Sequence, residues 1–183
     1  MRSWFRLVRI LFGLLALAAC ASSGPATGPR VGDYFGGTIP VECAPFAREL
    51  SGVRLWGDAA DWWYQASGHY ARAGNPSVGS VLVFRRSGRL PSGHVAVVSQ
   101  VLGNRQILVT QANWVHHRVS QDQPVIDISA ANDWSAVRVW WPPTEQMGIS
   151  EYPTYGFIRA DRPSSHDQLI AATPRAIRLA ENQ

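Results

Sequence analysis

The sequence predicts an α+β fold in which N-terminal helices pack on an antiparallel sheet of five or six strands. Two helical patterns, over residues 40–50 and 58–66, come before a series of short runs rich in β-branched and aromatic residues. Clusters of Gly, Ser, Pro and Asn bound these runs, which is typical of strands joined by tight turns. The first three runs span residues 79–84, 95–101 and 107–111.

The second and third of these runs are predicted to form a β-hairpin, because Gly103-Asn104 lies between them. Residues 159–183 form a polar C-terminal tail with a weak helical pattern from Asp167 onward, and we expect this tail to be mobile or loosely docked. The folded domain is therefore predicted over residues 38–158. Further strands are predicted at 125–129, 137–141 and 155–158.

The length and charge of the chain exclude some classes of protein. A chain of 183 residues is long enough for one ordinary domain and short for two. Its formal net charge is +4, but Arg2, Arg6 and Arg9 lie in the first nine positions, and without them fourteen basic residues face thirteen acidic ones. No basic patch remains to contact phosphates, so we expect no nucleic-acid partner.

The N-terminus is predicted to be a targeting segment. Residues 1–19 combine an arginine-rich start with an apolar run that is too short to span a bilayer, which favours a signal peptide. The run ends in Leu-Ala-Ala-Cys and resembles the lipobox of bacterial lipoproteins, in which the cysteine, here Cys20, is acylated. The alternative is an ordinary secretory signal in which Cys20 is incidental.

The lipobox resemblance implies a location as well as a modification. Several acyl chains give stable membrane anchoring, so we expect a cell-envelope protein that is lipid-anchored on the periplasmic side. By resemblance to enterobacterial sorting, Ala21 after the cysteine favours the outer membrane. Residues 20–37 are rich in Ser, Gly and Pro and are predicted to form a flexible tether.

Cys43 is the only cysteine left once Cys20 is acylated. An unpaired thiol in an oxidising compartment is exposed to oxidation, so its presence indicates a function. The helical pattern over residues 40–50 puts Cys43 in a first turn, where the positive end of the helix dipole favours the thiolate. The alternative is a small buried core cysteine.

His94 opens the second strand, and Gln111 and Asn113 stand at the end of the third. Alternation along a strand puts these two polar side chains on one face, and closure of the hairpin returns them to the side of His94. A thiol, an imidazole and a polar group that orients the ring are the parts of a thiol-based acyl-transfer site.

These residues lie in motifs that resemble the CHAP family (cysteine, histidine-dependent amidohydrolase/peptidase) of the papain-like superfamily. The resemblance covers about residues 31–158 and implies a papain-like fold. It also implies that Cys43 is the nucleophile and that His94 is the general base and then the acid. The oxyanion hole would use the Cys43 backbone N–H, with Tyr34 as a candidate contributor. The matching stretches are VECAPFARELSGV, GSVLVF, SGHVAVV and QILVTQANW.

The chain departs from the family pattern at two places. Where the family commonly has Glu-x-Asn, this sequence has Gln111-Ala112-Asn113, and we expect Asn113 first and Gln111 second to orient His94. A neutral partner holds the imidazole but stabilises the imidazolium less than a carboxylate does. Glu42 precedes Cys43 in place of the frequent Gln or Asn, and its carboxylate opposes ionisation of the thiol unless it points away.

By this resemblance the chain is expected to be a peptidoglycan hydrolase. The amide it cleaves is either the N-acetylmuramoyl–L-alanine bond or a peptide bond within the stem or cross-bridge. No metal or organic cofactor is implied, and we expect a monomer. Two alternatives remain open: a non-catalytic cell-wall-binding lipoprotein that has kept the fold, and a thiol amidase or protease that acts on an amide outside peptidoglycan.

Three other features near these motifs have a structural reading beside a functional one. His116-His117 has no cysteine or carboxylate at ligand spacing, so we predict a cleft rim and not a metal site. Asp127 could replace the third group of the site, but the turn residues after it favour an ordinary strand end. Trp114 is either a wall for a glycan or peptide stem or a core residue.

Overall fold

The computed structural model describes residues 33–183. The predicted signal peptide, the lipidation candidate Cys20 and most of the predicted tether lie outside the described residues. Within the described part, no helix has both the length and the apolar character needed to cross a membrane.

Helices and strands of the described residues follow the sequence-predicted order, with two additional short strands. The helices are α1 (Cys43–Ser51), α2 (Trp62–Gln65) and α3 (His166–Ala180). The strands are β1 (Arg72–Ala73), β2 (Val81–Phe84), β3 (His94–Gly103), β4 (Gln106–Ala112), β5 (Val119–Asp127), β6 (Ala136–Trp141), β7 (Gln146–Met147) and β8 (Tyr152–Ile158). Single 3-10 turns occupy Ala59–Asp61 and Pro142–Thr144.

Six of these strands close into an antiparallel barrel. Each strand from β2 to β6 pairs with the next, and β8 pairs with β2 on one side and with β6 on the other. The start of β8 pairs with β6, as in Val137–Tyr152, and its remainder pairs with β2, as in Val83–Gly156. A β-bulge between Val83 and Phe84 accompanies this change of partner, and such bulges bend a strand and help a sheet to close.

The predicted α+β arrangement, a papain-like CHAP fold with N-terminal helices on an antiparallel sheet of five or six strands, is therefore wrong. The described chain is mostly a closed six-stranded barrel with two extra strands and few helices. Strand periodicity reveals where strands lie and which face each residue takes, but closure depends on pairing between β6 and β8. No turn signal in the sequence marks that contact.

Buried residues form one cluster inside the barrel and another between the barrel and the helices. In β3, Ala96 and Val98 belong to the inner cluster, whereas Val95 and Val97 belong to the outer cluster with residues of α1 and α3. This alternation follows from the period of two along a strand. The first part of β3 is thus buried on both faces, which holds its first residue, His94, in a defined place.

The predicted C-terminal tail contains a docked helix. Ser165 and Gln168 form a capping box at the start of α3, an arrangement that satisfies free N–H groups of the first turn. The helix packs against α1, and its buried residues include Leu169 and Ile177. Residues 166–180 are thus not loosely docked, and the domain limit predicted at residue 158 stays a prediction.

A pair of leucines in α3 tests this packing. Leu169 is 2% exposed and Leu179 is 40% exposed. We expect Leu169→Ala to lower the free energy of unfolding by about 2–4 kcal/mol, because it leaves a cavity in the outer cluster. Leu179→Ala should change it by no more than about 0.5 kcal/mol. Urea denaturation of the two variants measures this, and equal effects would contradict the docked helix.

Candidate active site

Cys43 is the first residue of α1, and the local backbone directs N–H groups toward its sulfur. Glu42, the preceding residue, has an extended backbone, and no side chain caps the helix. The first-turn N–H groups of a helix have no partner within the helix. Here the backbone groups of Cys43 and Ala44 hydrogen-bond to the sulfur, and both lower the pKa of the thiol.

A further N–H group reaches the sulfur from β3. The backbone of Val95 hydrogen-bonds to Cys43 and is the strongest influence that lowers the pKa of the thiol. Val95 directly follows His94, so this bond fixes the sulfur beside the start of β3. The α1 face that carries Phe46, Ala47 and Leu50 is buried in the outer cluster and holds the helix in this position. The structure therefore brings the predicted thiol to the predicted histidine strand.

The thiol is nevertheless hard to ionise. Burial raises the pKa of Cys43 to about 11, and the Glu42 carboxylate adds to the rise. The hydrogen bonds from backbone N–H groups offset only part of this effect. At neutral pH the sulfur therefore carries its proton, and a nucleophilic role requires a base that removes the proton during attack.

His94 occupies a tight position at the start of β3. Gly93 before it has φ +73°, and a Cβ on this glycine would lie 2.6 Å from the Cβ of Ala60 and 2.8 Å from the carbonyl oxygen of Phe84. The N–H of Ala60 also donates to the carbonyl of Ser92. Only glycine fits this conformation and this close approach, which explains the Ser-Gly-His sequence.

Aromatic rings surround the His94 imidazole. The ring of Phe84 lies 5.5 Å away and that of Trp114 lies 5.1 Å away, each edge-on. Tyr152 contacts Trp114 in turn, at 4.9 Å. His94 is only 4% exposed. Burial lowers the pKa of His94 to about 4, and the hydrogen bond to Gln111 opposes this fall. The imidazole is therefore neutral at pH 7 and can accept a proton.

Gln111 is the residue that holds the imidazole. Its Oε1 lies 2.8 Å from Nε2 of His94, and its own Nε2 donates to Oε1 of Gln123 at 2.7 Å. Because the amide nitrogen of Gln111 is used on Gln123, its oxygen must accept from His94. The proton of the neutral imidazole therefore sits on Nε2, and Nδ1 is left as the basic nitrogen.

Asn113, the first choice from the sequence for orienting His94, makes other bonds. Its Nδ2 donates to Oε2 of Glu42 at 2.7 Å, and its Oδ1 accepts from the N–H of His117 at 2.9 Å. The reason is backbone geometry, since β4 ends at Ala112 and Asn113 has φ +59°. Asparagine tolerates this left-handed conformation, which interrupts the strand alternation that would have placed Gln111 and Asn113 on one face.

Gln123 was not identified from the sequence. The strand there was predicted only from residue 125, whereas β5 begins at Val119. Pro124 in the middle of this segment weakens a strand reading. The alternation of Gln121 and Gln123 ahead of Val125 was the available signal for an inward-facing polar residue.

The sequence also indicated His116, His117, Asp127 and Tyr34 as candidate residues. The rings of His116 and His117 stack at 3.7 Å, and across residues 33–183 no group of three or more His, Cys, Asp or Glu is arranged to hold a metal ion. Asp127 accepts hydrogen bonds from the backbone and hydroxyl of Ser129, as expected of a strand end. Tyr34 lies beside β5 with the Arg118 guanidinium over its ring.

Replacement of Glu42 tests whether its carboxylate raises the pKa of the Cys43 thiol. We expect Glu42→Gln to lower the pKa of Cys43 from its value of about 11, because it removes a neighbouring negative charge. The amide oxygen can still accept from Asn113, so the loop should stay in place. The measurement is the rate of Cys43 alkylation by iodoacetamide as a function of pH. The exposed Glu181 supplies the control variant, Glu181→Gln, and an unchanged profile in Glu42→Gln would contradict the assignment.

His94 offers a test through the pH dependence of stability. Its pKa is about 4 in the folded protein and about 6.5 in the unfolded chain. Between these values the unfolded chain binds a proton that the folded protein does not. The contribution of a neutral His94 is therefore complete above about pH 6.5 and is lost as the pH falls toward about 4.

The expected difference is measurable by urea denaturation between pH 7 and pH 4. The free energy of unfolding should fall less steeply in His94→Gln than in the wild type, by up to about 3 kcal/mol over this range. Replacement of the exposed His69 by Gln serves as the control. Parallel curves for wild type and His94→Gln would show that His94 is not buried as a neutral group.

Comparison with known proteins agrees with the motif resemblance. Residues 32–113 match the family model described as "CHAP domain", a segment that includes Cys43, His94, Gln111 and Asn113. The comparison with curated proteins gave no match.

Two solved structures are similar to this chain. The crystal structure of Ly7917 shows 16% identity and a TM-score of 0.40, covering 68% of this chain and 57% of that chain. The crystal structure of Ly7917 with the hydrolyzing product of MDP shows 18% identity and a TM-score of 0.37, covering 65% and 56%. The chain thus spans a little over half the length of these proteins. Over residues 32–113, the chain is similar to the CHAP domain family.

Proposed function

We propose that this protein is a peptidoglycan hydrolase that cleaves an amide bond with Cys43 as nucleophile. The observation that carries the proposal is the hydrogen bond between the Val95 backbone and the Cys43 sulfur, which sets the thiol next to the start of β3, the strand that His94 opens. Similarity to the CHAP domain over residues 32–113 supports the substrate class. The bond cut is either the N-acetylmuramoyl–L-alanine amide or a peptide bond within the stem or cross-bridge.

The reaction follows from the protonation states of the two groups. Nδ1 of the neutral His94 accepts the thiol proton as the Cys43 sulfur attacks the substrate carbonyl carbon. The oxyanion that forms is held by backbone N–H groups at the start of α1, and the Cys43 N–H is the first candidate. The imidazolium then gives its proton to the leaving amine, and the C–N bond breaks to leave a thioester.

Hydrolysis of the thioester completes the cycle. Nδ1 of His94, again neutral, accepts a proton from water as the water oxygen attacks the thioester carbonyl. Collapse of this second tetrahedral species breaks the carbon–sulfur bond, releases a carboxylic acid and returns the proton to sulfur. In this cycle Gln111 acts as a positioning residue, since its oxygen accepts from Nε2 of His94 throughout.

We also propose that a lipid anchor at Cys20 holds the enzyme on the periplasmic side, at the outer membrane. The support is the sequence of residues 1–20, which resembles a lipoprotein signal. Tethering through acyl chains would keep a monomeric domain close to the cell wall without a dedicated wall-binding module.

A non-catalytic cell-wall-binding domain is a second candidate, and one observation favours it. Burial holds the pKa of Cys43 near 11, so the resting thiol is a poor nucleophile without assistance. The two candidates differ in the reaction of wild-type and His94→Ala protein with iodoacetamide at pH 7. If His94 acts as a base, its removal slows alkylation, whereas an inert thiol reacts equally slowly in both proteins.

Digestion of purified sacculi tests the enzyme directly. We expect Cys43→Ala and His94→Ala each to reduce the release of soluble fragments by about a thousandfold or more, because each removes a group that takes part in every turnover. The variant His69→Ala, at an exposed histidine, should retain wild-type release. Mass spectrometry of the fragments identifies which amide is cut.

Three results of this experiment would contradict part or all of the proposal. Full release by either site variant would remove that residue from the catalytic role. No release by the wild type, with binding to sacculi retained, would favour the wall-binding domain. Cleavage of a small amide or a protein in place of sacculi would favour a thiol amidase or protease of another substrate class.

A further inference from the structure

A chain of hydrogen bonds starts at the residue that holds His94 and links three neighbouring strands of the barrel. It starts at Gln111 on β4, continues to Gln123 on β5 and ends at the backbone carbonyl of Trp140 on β6. Gln111 Nε2 donates to Gln123 Oε1 at 2.7 Å, and Gln123 Nε2 donates to the Trp140 oxygen at 2.6 Å. Gln111 is 1% exposed and Gln123 is fully buried, so neither side chain can exchange these partners for bulk water.

The direction of the whole chain follows from its last member. A backbone carbonyl can only accept a hydrogen bond, so the amide nitrogen of Gln123 must face Trp140. The amide oxygen of Gln123 then faces Gln111 and requires a donor there. Reversal of either amide would place two acceptors or two donors against each other in a buried site, which is strongly disfavoured.

We infer that Gln123 is a positioning residue for the active site, because it fixes the orientation of the Gln111 amide and thereby the tautomer of His94. The Trp140 carbonyl orients Gln123, Gln123 orients Gln111, and Gln111 keeps the proton of His94 on Nε2. The catalytic consequence rests on the proposed function, in which Nδ1 of His94 is the base. The tautomer itself can be observed without any activity.

Two features of the chain make Gln123 the controlling member. In the part of the chain that the structure describes, its side chain links Gln111 to a backbone carbonyl, whose hydrogen-bonding role cannot be reversed. It is also closed to solvent, so it cannot touch the substrate, and its contact toward His94 is through Gln111. Loss of its two hydrogen bonds would leave Gln111 free to turn its amide nitrogen toward His94. The imidazole would then have to accept at Nε2 and carry its proton on Nδ1.

The test uses ¹⁵N NMR of the histidine side chains in wild-type protein and in Gln123→Met, a variant of similar length without a hydrogen-bonding group. We expect His94 to carry its proton on Nε2 in the wild type and to gain the Nδ1–H form in Gln123→Met. In the sacculus assay kcat should fall by at least about tenfold, while KM stays the same. In Gln123→Glu a protonated, buried carboxyl group can donate to the Trp140 carbonyl and accept from Gln111, so this variant should retain the wild-type tautomer.

Gln121→Met is the matched control. Gln121 is a buried glutamine two positions away on β5, and its Nε2 has no hydrogen-bond partner among the described residues. Its replacement perturbs the same strand without touching the hydrogen-bond chain, so the His94 tautomer should stay as in the wild type. An altered tautomer in this control would mean that the spectrum reports general loosening of the barrel and would overturn the inference.

The remaining outcomes separate this inference from the proposed function. A wild-type tautomer and an unchanged kcat in Gln123→Met, with active wild type, would overturn the positioning role alone. The expected tautomer shift in a protein that releases nothing from sacculi would support the positioning role and count against the hydrolase. If Gln123→Met does not fold, the wild-type spectrum decides, since a proton on Nδ1 of His94 contradicts the inference and a proton on Nε2 supports it.

Discussion

The hydrogen bond between His94 and Gln111 is the contact on which the rest of the site depends. It is made inside the barrel, where burial lowers the pKa of the imidazole to about 4. A carboxylate at position 111 would attract a proton to the ring and raise that pKa. A glutamine instead orients the ring and leaves it neutral. With Gln111 in place of the glutamate that is common in the CHAP family, His94 and its partner are a pair of neutral groups and not a charged pair.

The barrel positions the His94 imidazole, and helix α1 positions the Cys43 thiol. Closure through β8 creates the interior in which Phe84, Trp114 and Gln111 surround His94. The sulfur comes from the other side, because α1 packs on the outer face of the barrel. The two layers meet at the first residues of β3, where His94 belongs to the interior and Val95 to the outer face. One step along β3 thus separates the buried imidazole from the residue whose backbone hydrogen-bonds to the thiol.

The sequence was sufficient for the local features of this arrangement and insufficient for the long-range ones. The cysteine at a helix start, the histidine opening a strand and the hairpin at Gly103-Asn104 each depend on residues close together in the chain, and the structure has all three. The closed barrel depends on β8 pairing with both β2 and β6, a contact between distant segments. Periodicity carries no information on such pairing, so the predicted arrangement of N-terminal helices on an antiparallel sheet of five or six strands was wrong.

The strand pattern was also insufficient to decide whether Gln111 or Asn113 contacts His94. Strand alternation treats the two as equivalent, and only the positive φ of Asn113 separates them. That dihedral places Asn113 against the Glu42 carboxylate, so the two polar residues contact different groups. Gln111 hydrogen-bonds to the His94 imidazole, and Asn113 hydrogen-bonds to the carboxylate that precedes the thiol.

The protonation states constrain how such a site can work. With a thiol pKa near 11 and an imidazole pKa near 4, transfer of the proton before attack is strongly unfavourable. In the reaction that we propose, the proton must therefore move as the carbon–sulfur bond forms, when the developing charge passes from sulfur to the substrate oxygen. In this proposed reaction, stabilisation of the charge by the backbone N–H groups at the start of α1 matters more than it does in a site with a preformed thiolate. In the proposed reaction, these groups stabilise the charge when it develops on the substrate oxygen, and burial in the barrel keeps the His94 imidazole neutral until then.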